Sequence, residues 1–434
     1  MTTRQPPGAT RGPAIGIVAD DLTGAGDVAG VLARAGVRTA LIVGVPDTGR
    51  PLPDAEAVVV GLRIRSLPAP DAVRLASTAA RRLATSGVAV LGWKVCSTFD
   101  STPAGNIGPV SDALLAITGL PAALVCPAYP ANGRTVEGGQ LLVHGVPLDR
   151  TSMRDHPLTP MRDADVVRLL APQVEEPGRV ARLRAAAIDA GAAIDRAVAA
   201  GARYLVADAG TTEDAEALGA AVIGRALPVM AAGLAPGIVE GLRRAGRLPP
   251  ASVAPAPARL PGRTLVLAGS CSEATLGQVR EFGRHGPVLR LEPAAPDCVA
   301  RAVAAVRRSF AAGNASVLLA SSDDPAGVVR TRGALGGDAG AVIERALGEV
   351  ADALARDGVR RVVVAGGETT GAVLEGLGVR ELRVGPEVAP GVPLLERVDG
   401  QRMLLVAKSG NFGGPDLFAR AIEAMDGEPT PPPR

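Results

Sequence analysis

Lysine is almost missing from this chain. Of its 46 basic residues only Lys94 and Lys408 are lysines and the rest are arginine. A lysine kept against that bias marks a place where a compact ammonium is wanted and a planar guanidinium does not fit. Both sit in small, polar, glycine-containing stretches, WKVCSTFDST and AKSGNFGG. Aromatic residues make up only 2% of the sequence, which argues against a surface that stacks sugars or single-stranded nucleic acid on rings. The four cysteines (Cys96, Cys126, Cys271, Cys298) form no C-x-x-C pair, and the three histidines lack zinc-ligand spacing. Reduced thiols of a cytoplasmic protein fit this better than a disulfide framework or a structural metal. Formal net charge is only +2 with no dense basic block, which speaks against nucleic acid or a membrane surface as partner. No apolar run reaches the roughly 18 residues of a membrane span. Met1–Pro13 lacks the apolar stretch of a signal peptide and reads as a disordered tail.

What is present is an Ala-, Val- and Leu-rich chain of 434 residues, long enough for two cored domains. Short β-branched runs (Ile15–Ala19, Thr39–Val43, Ala57–Leu62, Val88–Lys94, Ala122–Cys126, Tyr204–Ala207) alternate with amphipathic stretches near 26–35, 70–86, 105–117, 190–200 and 213–226. That is the pattern of parallel α/β units. A hairpin or irregular excursion is expected between Thr135 and Leu148. RLPPASVAPAPARLPGR at 247–263 holds five prolines and reads as a linker. A second series follows at Thr264–Ala268, Val288–Leu291, Ser316–Ala320, Arg361–Ala365 and Met403–Ala407, with helices near 273–284, 297–312 and 338–356. The expected fold is therefore α/β with two domains, each a mainly parallel sheet flanked by helices, joined by a Pro-rich linker. Its parts are a tail at 1–13, an acceptor-binding domain at 14–246, the linker, a nucleotide-binding domain at 264–426 and a tail at 427–434.

IGIVADDLTGAGDVAG is a strand, a Gly-rich turn and a helix, and it contains G-x-G-x-x-A at Gly24, Gly26 and Ala29. A dinucleotide site is weakened by Asp20 and Asp21, whose carboxylates would repel a pyrophosphate at the strand end. Carboxylates there suit hydrogen bonds to substrate hydroxyls and removal of a proton from one of them; the structural alternative is that one caps the helix. The segment after the Lys94 strand gathers Ser97, Thr98, Asp100, Ser101, Thr102 and Asn106 before a helix, a natural place for a carboxylate or phosphate. PANGRTVEGG (Asn132, Gly133, Arg134) and MRDHPLTPM (Arg154, Asp155, His156) are further polar loops that could close over an acceptor.

Three turns in the second half share one character. AGSCSEAT, AGGETTGAV and AKSGNFGG each follow a strand and offer backbone amides or small hydroxyls, which suits phosphate oxygens beyond the carboxyl ends of one parallel sheet. Glu368 stands where it could reach a ribose hydroxyl or a water on a metal. Neither a Walker A loop nor the H-R-D and D-F-G set of protein kinases occurs.

With these motifs in order, the chain resembles the four-carbon acid sugar kinase family over nearly its whole length. The resemblance is carried by ADDLTGAGDVAG (19–30), LRIRS (62–66), KVCSTFDSTPAGNIGPV (94–110), PANGRTV (130–136), MRDHPLTPM (153–161), AGSCSEAT (268–275), AGGETTGAV (365–373), VGPEVAPGVP (384–393) and KSGNFG (408–413). The K-x-C-S-T-F-D-S-T and H-P-x-T-P-M forms resemble the branch acting on 3-oxo-tetronates, with D-threonate or D-erythronate 4-kinase as the alternative. The resemblance implies ATP, with Mg²⁺, phosphorylating the C4 hydroxyl of a 3-dehydro-L- or D-erythronate. It places nucleotide contacts on Ser270, Gly366, Gly367, Glu368, Thr369 and Gly410, and acceptor contacts around Asp20, Asp21, Arg65, Lys94, Asp100 and Asn106. VMAAGLAPG at 229–237 departs from the family's G-G-S-G-L-A turn, keeping only Gly233, Leu234 and Ala235.

The mechanism expected is in-line phosphoryl transfer by positioning and charge neutralisation. Lys94 and Arg65 hold the acceptor carboxylate, Ser101 and Arg134 line its site, and Asp21 (or Asp20) deprotonates the hydroxyl. Lys408 neutralises phosphates, and the linker permits closure. The partners expected are a small sugar acid and ATP, with a homodimer left open. The rival readings are an NAD-dependent dehydrogenase and a non-catalytic sugar-acid or nucleotide sensor.

Overall fold

Runs such as IGIVA, TALIV and AVVVG show no polar alternation, as expected of strands covered on both faces. In the computed structural model every residue of β1 (Ile15–Ala19), β2 (Thr39–Val43) and β3 (Ala57–Gly61) is buried. The structure describes residues 12–155, 159–184, 189–251, 257–321, 333 and 339–427. They fall into two units, Met1–Val253 and Ala254–Arg434. Five residues of the Pro-rich stretch (252–256) lie outside the described residues, as do most of both expected tails.

In the first unit, β1 leads into α1 (Leu22–Arg34), whose first twelve residues are all buried. Gly61 makes that packing possible, because a methyl there would stand 2.7 Å from Leu22 Cδ2 and 2.9 Å from Ala25 Cβ. After β2 and β3 come α2 (Ala69–Ala84), β4 (Val90–Lys94), α3 (Ile107–Thr118) and β5 (Ala123–Cys126). The expected excursion is a three-stranded antiparallel sheet of β6 (Arg134–Glu137), β7 (Gln140–Val143) and β8 (Val146–Pro147). The unit finishes with α4 (Val166–Leu170), β9 (Val180–Leu183), α5 (Ala190–Ala199), β10 (Tyr204–Ala207), α6 (Thr212–Ala221), β11 (Leu227–Met230) and α7 (Ala235–Arg244). Its main sheet is parallel, in the order β2-β3-β1-β4-β11-β5-β10-β9. From β1 the chain builds outward first on the β3 side and then on the β4 side, and the carboxyl ends of β3, β1 and β4 are neighbours at that switch. Ligands of open α/β sheets bind at such a point.

The second unit repeats the logic with β12 (Thr264–Ala268), α8 (Glu273–Phe282), β13 (Val288–Arg290), α9 (Cys298–Ala311), β14 (Ser316–Ala320), α10 (Ala339–Arg356), β15 (Arg361–Ala365) and α11 (Gly367–Gly376). A hairpin of β16 (Glu381–Ala389) and β17 (Val392–Arg397) precedes β18 (Leu404–Lys408) and α12 (Leu417–Met425). The sheet order is β13-β14-β12-β15-β18-β17-β16, parallel as far as β18 and antiparallel beyond it. Sequence periodicity overlooked the hairpin, since Pro386 interrupts its first strand and the pairing shifts register on either side of Glu387. It also overlooked β9 and β11, which are four-residue strands carrying Arg182 and Pro228. Two boundaries move: α1 starts at Leu22, ahead of the expected Gly26, because Asp21 caps it, and α6 ends at Ala221, short of the expected 226, before Gly224 at φ 73°.

Candidate functional site

In the first unit, β3, β1 and β4 run in register, Ala19 lying opposite both Gly61 and Lys94. The chain beyond each strand end therefore meets the others. The Asp20 carbonyl accepts from the amides of Ile64 and Arg65, and its own amide donates to the Lys94 carbonyl. Arg65 grips the buried Asp20 carboxylate with two bonds, Nε to Oδ2 at 2.7 Å and Nη2 to Oδ1 at 2.9 Å. Arg65 Nη2 also stands 2.8 Å from Asp21 Oδ1. Asp21 is the α1 cap, accepting from the Gly24 amide at 2.8 Å. The capping alternative applies to Asp21, which keeps 19% of its side chain exposed, while Arg65 holds Asp20 with 3% exposed. Burial raises the Asp20 carboxyl above its ordinary value, and Arg65 opposes that rise. Burial works against the Arg65 charge too, but Asp20 and Asp21 outweigh it and hold the guanidinium well above its usual value.

Lys94 is buried, and its ammonium donates to the Val95 carbonyl at 2.9 Å. A methyl on Gly24 would stand 3.0 Å from it, so Nζ lies against the first turn of α1. The following loop contains Phe99 at φ 52°, a left-handed conformation uncommon for such a side chain. Thr98 donates to Asp100 Oδ1 at 2.6 Å, Cys96 Sγ lies 3.0 Å from Thr98 Oγ1, and Ser101 donates to Gln173 at 3.2 Å. Burial pushes the Cys96 thiol up to about 11, so it is a thiol and not a nucleophile at neutral pH. Asn106 is buried, and its side-chain amide donates to the carbonyls of Ile64, Arg65 and Leu67. Although Asn106 is the α3 N-cap residue, its side chain makes no capping bond and holds the Arg65 loop instead.

Arg134, from the hairpin, completes this cluster. It donates to the Asn132 carbonyl, while its Nε is buried with no hydrogen-bond partner. Burial lowers its pKa, and the Asp27 and Asp100 carboxylates oppose that fall. The arrangement offers cations and carboxylates around one strand-end switch, as a polyhydroxylated acid requires. Arg154 and Asp155 occupy an exposed 3₁₀ turn, where Arg154 donates to the Asp149 carbonyl, and His156 lies outside the described residues.

In the second unit the three Gly-rich turns follow β12, β15 and β18, which are adjacent and parallel. They touch closely. A methyl at Gly269 would stand 2.1 Å from Thr369 Oγ1, and one at Gly410 would stand 2.5 Å from Ser270 Oγ. Gly366 takes φ 126°, closed to other residues, and its Cα faces Thr369 and the Ser270 amide. As the α11 cap it supplies no side-chain acceptor, and the first turn of a helix, here opened by Gly367, is where an outside anion is commonly taken up. Glu368 is exposed in that first turn.

Lys408 is fully buried, and its ammonium donates to Thr275 Oγ1 and Gln278 Oε1 at 2.9 Å and to the Gly410 carbonyl at 2.7 Å. Burial pulls its pKa down to about 7. The expected phosphate-neutralising lysine is thus engaged beneath the loop.

Comparison with known proteins matches residues 15–240 to a sugar-binding N-terminal domain and residues 265–418 to a nucleotide-binding C-terminal domain. A 3-oxo-tetronate kinase from Methylobacterium radiotolerans is 46% identical over 424 residues, 95% of this chain and 99% of that protein. One from Cupriavidus necator is 43% identical over 425 residues, 96% of this chain and 98% of that protein. The chain belongs to the four-carbon acid sugar kinase family. The crystal structure of a Salmonella typhimurium protein described as a tRNA synthase shares 34% identity and superposes with a TM-score of 0.82, covering 94% of this chain and 98% of that one.

Set within the family pattern, the altered turn at 229–237 keeps Gly233 for a steric reason: a methyl there would stand 2.6 Å from the Ala128 carbonyl. The residues before it, Ala231 and Ala232, are fully buried. Inspection of the sequence missed Asp27 and Thr23, buried polar residues one helical turn apart in an apolar helix. That spacing was the available signal. It also missed Thr275 and Gln278, buried polar residues three apart on α8.

Proposed function

We propose that this chain is an ATP-dependent 3-oxo-tetronate kinase, the first unit holding the sugar acid and the second the nucleotide. The reading is supported above all by the near-full-length likeness to 3-oxo-tetronate kinases. The three contacting turns beyond adjacent parallel strands of the second unit supply the chemistry for a phosphate chain. The acceptor C4 oxygen attacks the γ-phosphorus of ATP, the bond to the β-phosphate oxygen breaks, and ADP leaves with that electron pair. The hydroxyl proton passes to a carboxylate, and Asp21 suits this better than Asp20 because it is more exposed and less tightly gripped by Arg65. Lys94 and Arg134 lie among the acceptor-side groups as cations for the acid's carboxylate, with Asp100 and Ser101 as hydroxyl partners. Arg65 sets the two aspartates, and Asn106 sets Arg65.

Ser270 and the amides of Gly367, Thr369 and Gly410 would take phosphate oxygens. No cluster of three or more metal-ligating side chains occurs among the described residues. Mg²⁺ commonly binds through substrate phosphates and one or two carboxylates, and Glu368, exposed in the first turn of α11, is the carboxylate at hand. Bound there, the ion would neutralise charge on the β- and γ-phosphates.

A coupled ADP-release assay tests the reading. ADP should appear with 3-dehydro-L- or D-erythronate and much more slowly with D-threonate or D-erythronate. Faster turnover of the last two would move the chain to the threonate or erythronate alternative, and no ATP-dependent turnover of any of them would end the kinase reading. Asp21→Asn should cut turnover about a hundredfold or more while nucleotide binding persists; near-normal turnover would sink the base assignment.

A further inference from the structure

The loop after β18 has its carbonyl oxygens turned into the protein by one buried polar core. The Gly410 carbonyl accepts from Lys408 Nζ at 2.7 Å, from Thr275 Oγ1 at 2.8 Å and from Ser272 Oγ. The carbonyls of Phe412, Gly413 and Gly414 each lie 3.0 Å from Gln278 Nε2, sharing its two hydrogens. Gln278 Oε1 in turn accepts from Lys408 Nζ. Thr275, Gln278 and Lys408 are all fully buried.

Across a trans peptide the N–H points opposite the C=O. Fixing the carbonyls of Gly410, Phe412 and Gly413 inward therefore fixes the amides of Asn411, Gly413 and Gly414 outward. Among the described residues those three amides meet no protein acceptor. Gly413, at φ 80°, supplies the left-handed residue with which successive amides form an anion-binding concavity. Gly410 itself abuts Ser270, so the concavity adjoins the turn after β12.

We infer that Gln278, with Thr275 and Lys408, is a positioning core for phosphate recognition, holding the amides of the 410–414 loop toward the nucleotide's phosphate chain. Gln278 acts through the loop. The inference rests on the nucleotide-binding reading of the second unit.

Gln278→Met tests it, because it keeps the side-chain length and removes the donors and the acceptor. The full-length variant should show KM for ATP and Ki for ADP raised about tenfold or more. The Ki of adenosine as a competitive inhibitor and the KM for the 3-oxo-tetronate should stay within about twofold. Unchanged ATP and ADP constants overturn the inference and leave the nucleotide reading standing. Equal weakening of ATP and adenosine also overturns it, since a general loosening of the pocket would do the same. Wild-type protein with no ATP-dependent turnover overturns both. Should Gln278→Met fail to fold, Gln278→Glu keeps an acceptor for Lys408, replaces the donating amide by oxygen, and carries the same expectations.

Discussion

Lys408→Met should remove a pH-dependent component from the stability of the second unit. In the folded chain the ammonium is fully buried against three neutral oxygens, and burial brings its pKa down to about 7 from the ordinary 10.5. Between those values the unfolded chain holds a proton that the folded chain has released. Stability therefore rises with pH across that window, is at its lowest contribution below about pH 7, and levels off above about 10. At about 1.4 kcal/mol per pH unit the full effect is roughly 5 kcal/mol, of which about 2 kcal/mol falls between pH 7 and 9 because the folded ammonium is only half deprotonated at pH 7. The assay is urea denaturation of wild type and variant from pH 6 to 10. It should be followed by far-UV circular dichroism, because the single tryptophan, Trp93, lies in the first unit and reports on that unit. Subtracting the variant's curve cancels the groups the two proteins share. The difference in the second unit's transition should climb from pH 7 and then flatten. A difference independent of pH would mean that the ammonium keeps its ordinary pKa and would refute the reasoning.

Arg65→Met strands the Asp20 carboxylate in a buried site and should cost about 3 kcal/mol, part of it recovered by adding Asp20→Asn; urea denaturation of both variants measures this. Gly269→Ala drives a methyl to 2.1 Å from Thr369 Oγ1, and should raise the KM for ATP about tenfold or more with little change in acceptor KM. Asn106→Ala leaves three carbonyls of the Arg65 loop without their donor. It should cost about 1–3 kcal/mol, seen as a lower Tm, and raise the acceptor KM more than the ATP KM.

Much of this molecule was open to inspection from residue order alone. Apolar runs such as TLVLA and RVVVA could only be covered strands, and the turns that follow them carried the amides, hydroxyls and glycines of an anion site. Lys94 and Lys408 stood out because arginine had replaced lysine everywhere else. The hairpin β16–β17 did not stand out, because Pro386 and a register shift break its alternation. Asp27, Thr275 and Gln278 did not either, since a polar residue in a helix reads as solvated until the fold buries it.

Local sequence determined the strands, the turns and the chemical kind of group each turn offers, because propensity, periodicity and glycine placement act over a few residues. Only tertiary structure decided what each group does there. It paired Arg65 with Asp20 across a separation of 45 residues and spent Asn106 on the carbonyls of the Arg65 loop. It turned Lys408 inward onto Thr275 and Gln278, more than a hundred residues earlier in the chain. Hydrogen-bond partners are set by which strand ends become neighbours, and that order in the sheet is not written in any local stretch of the chain.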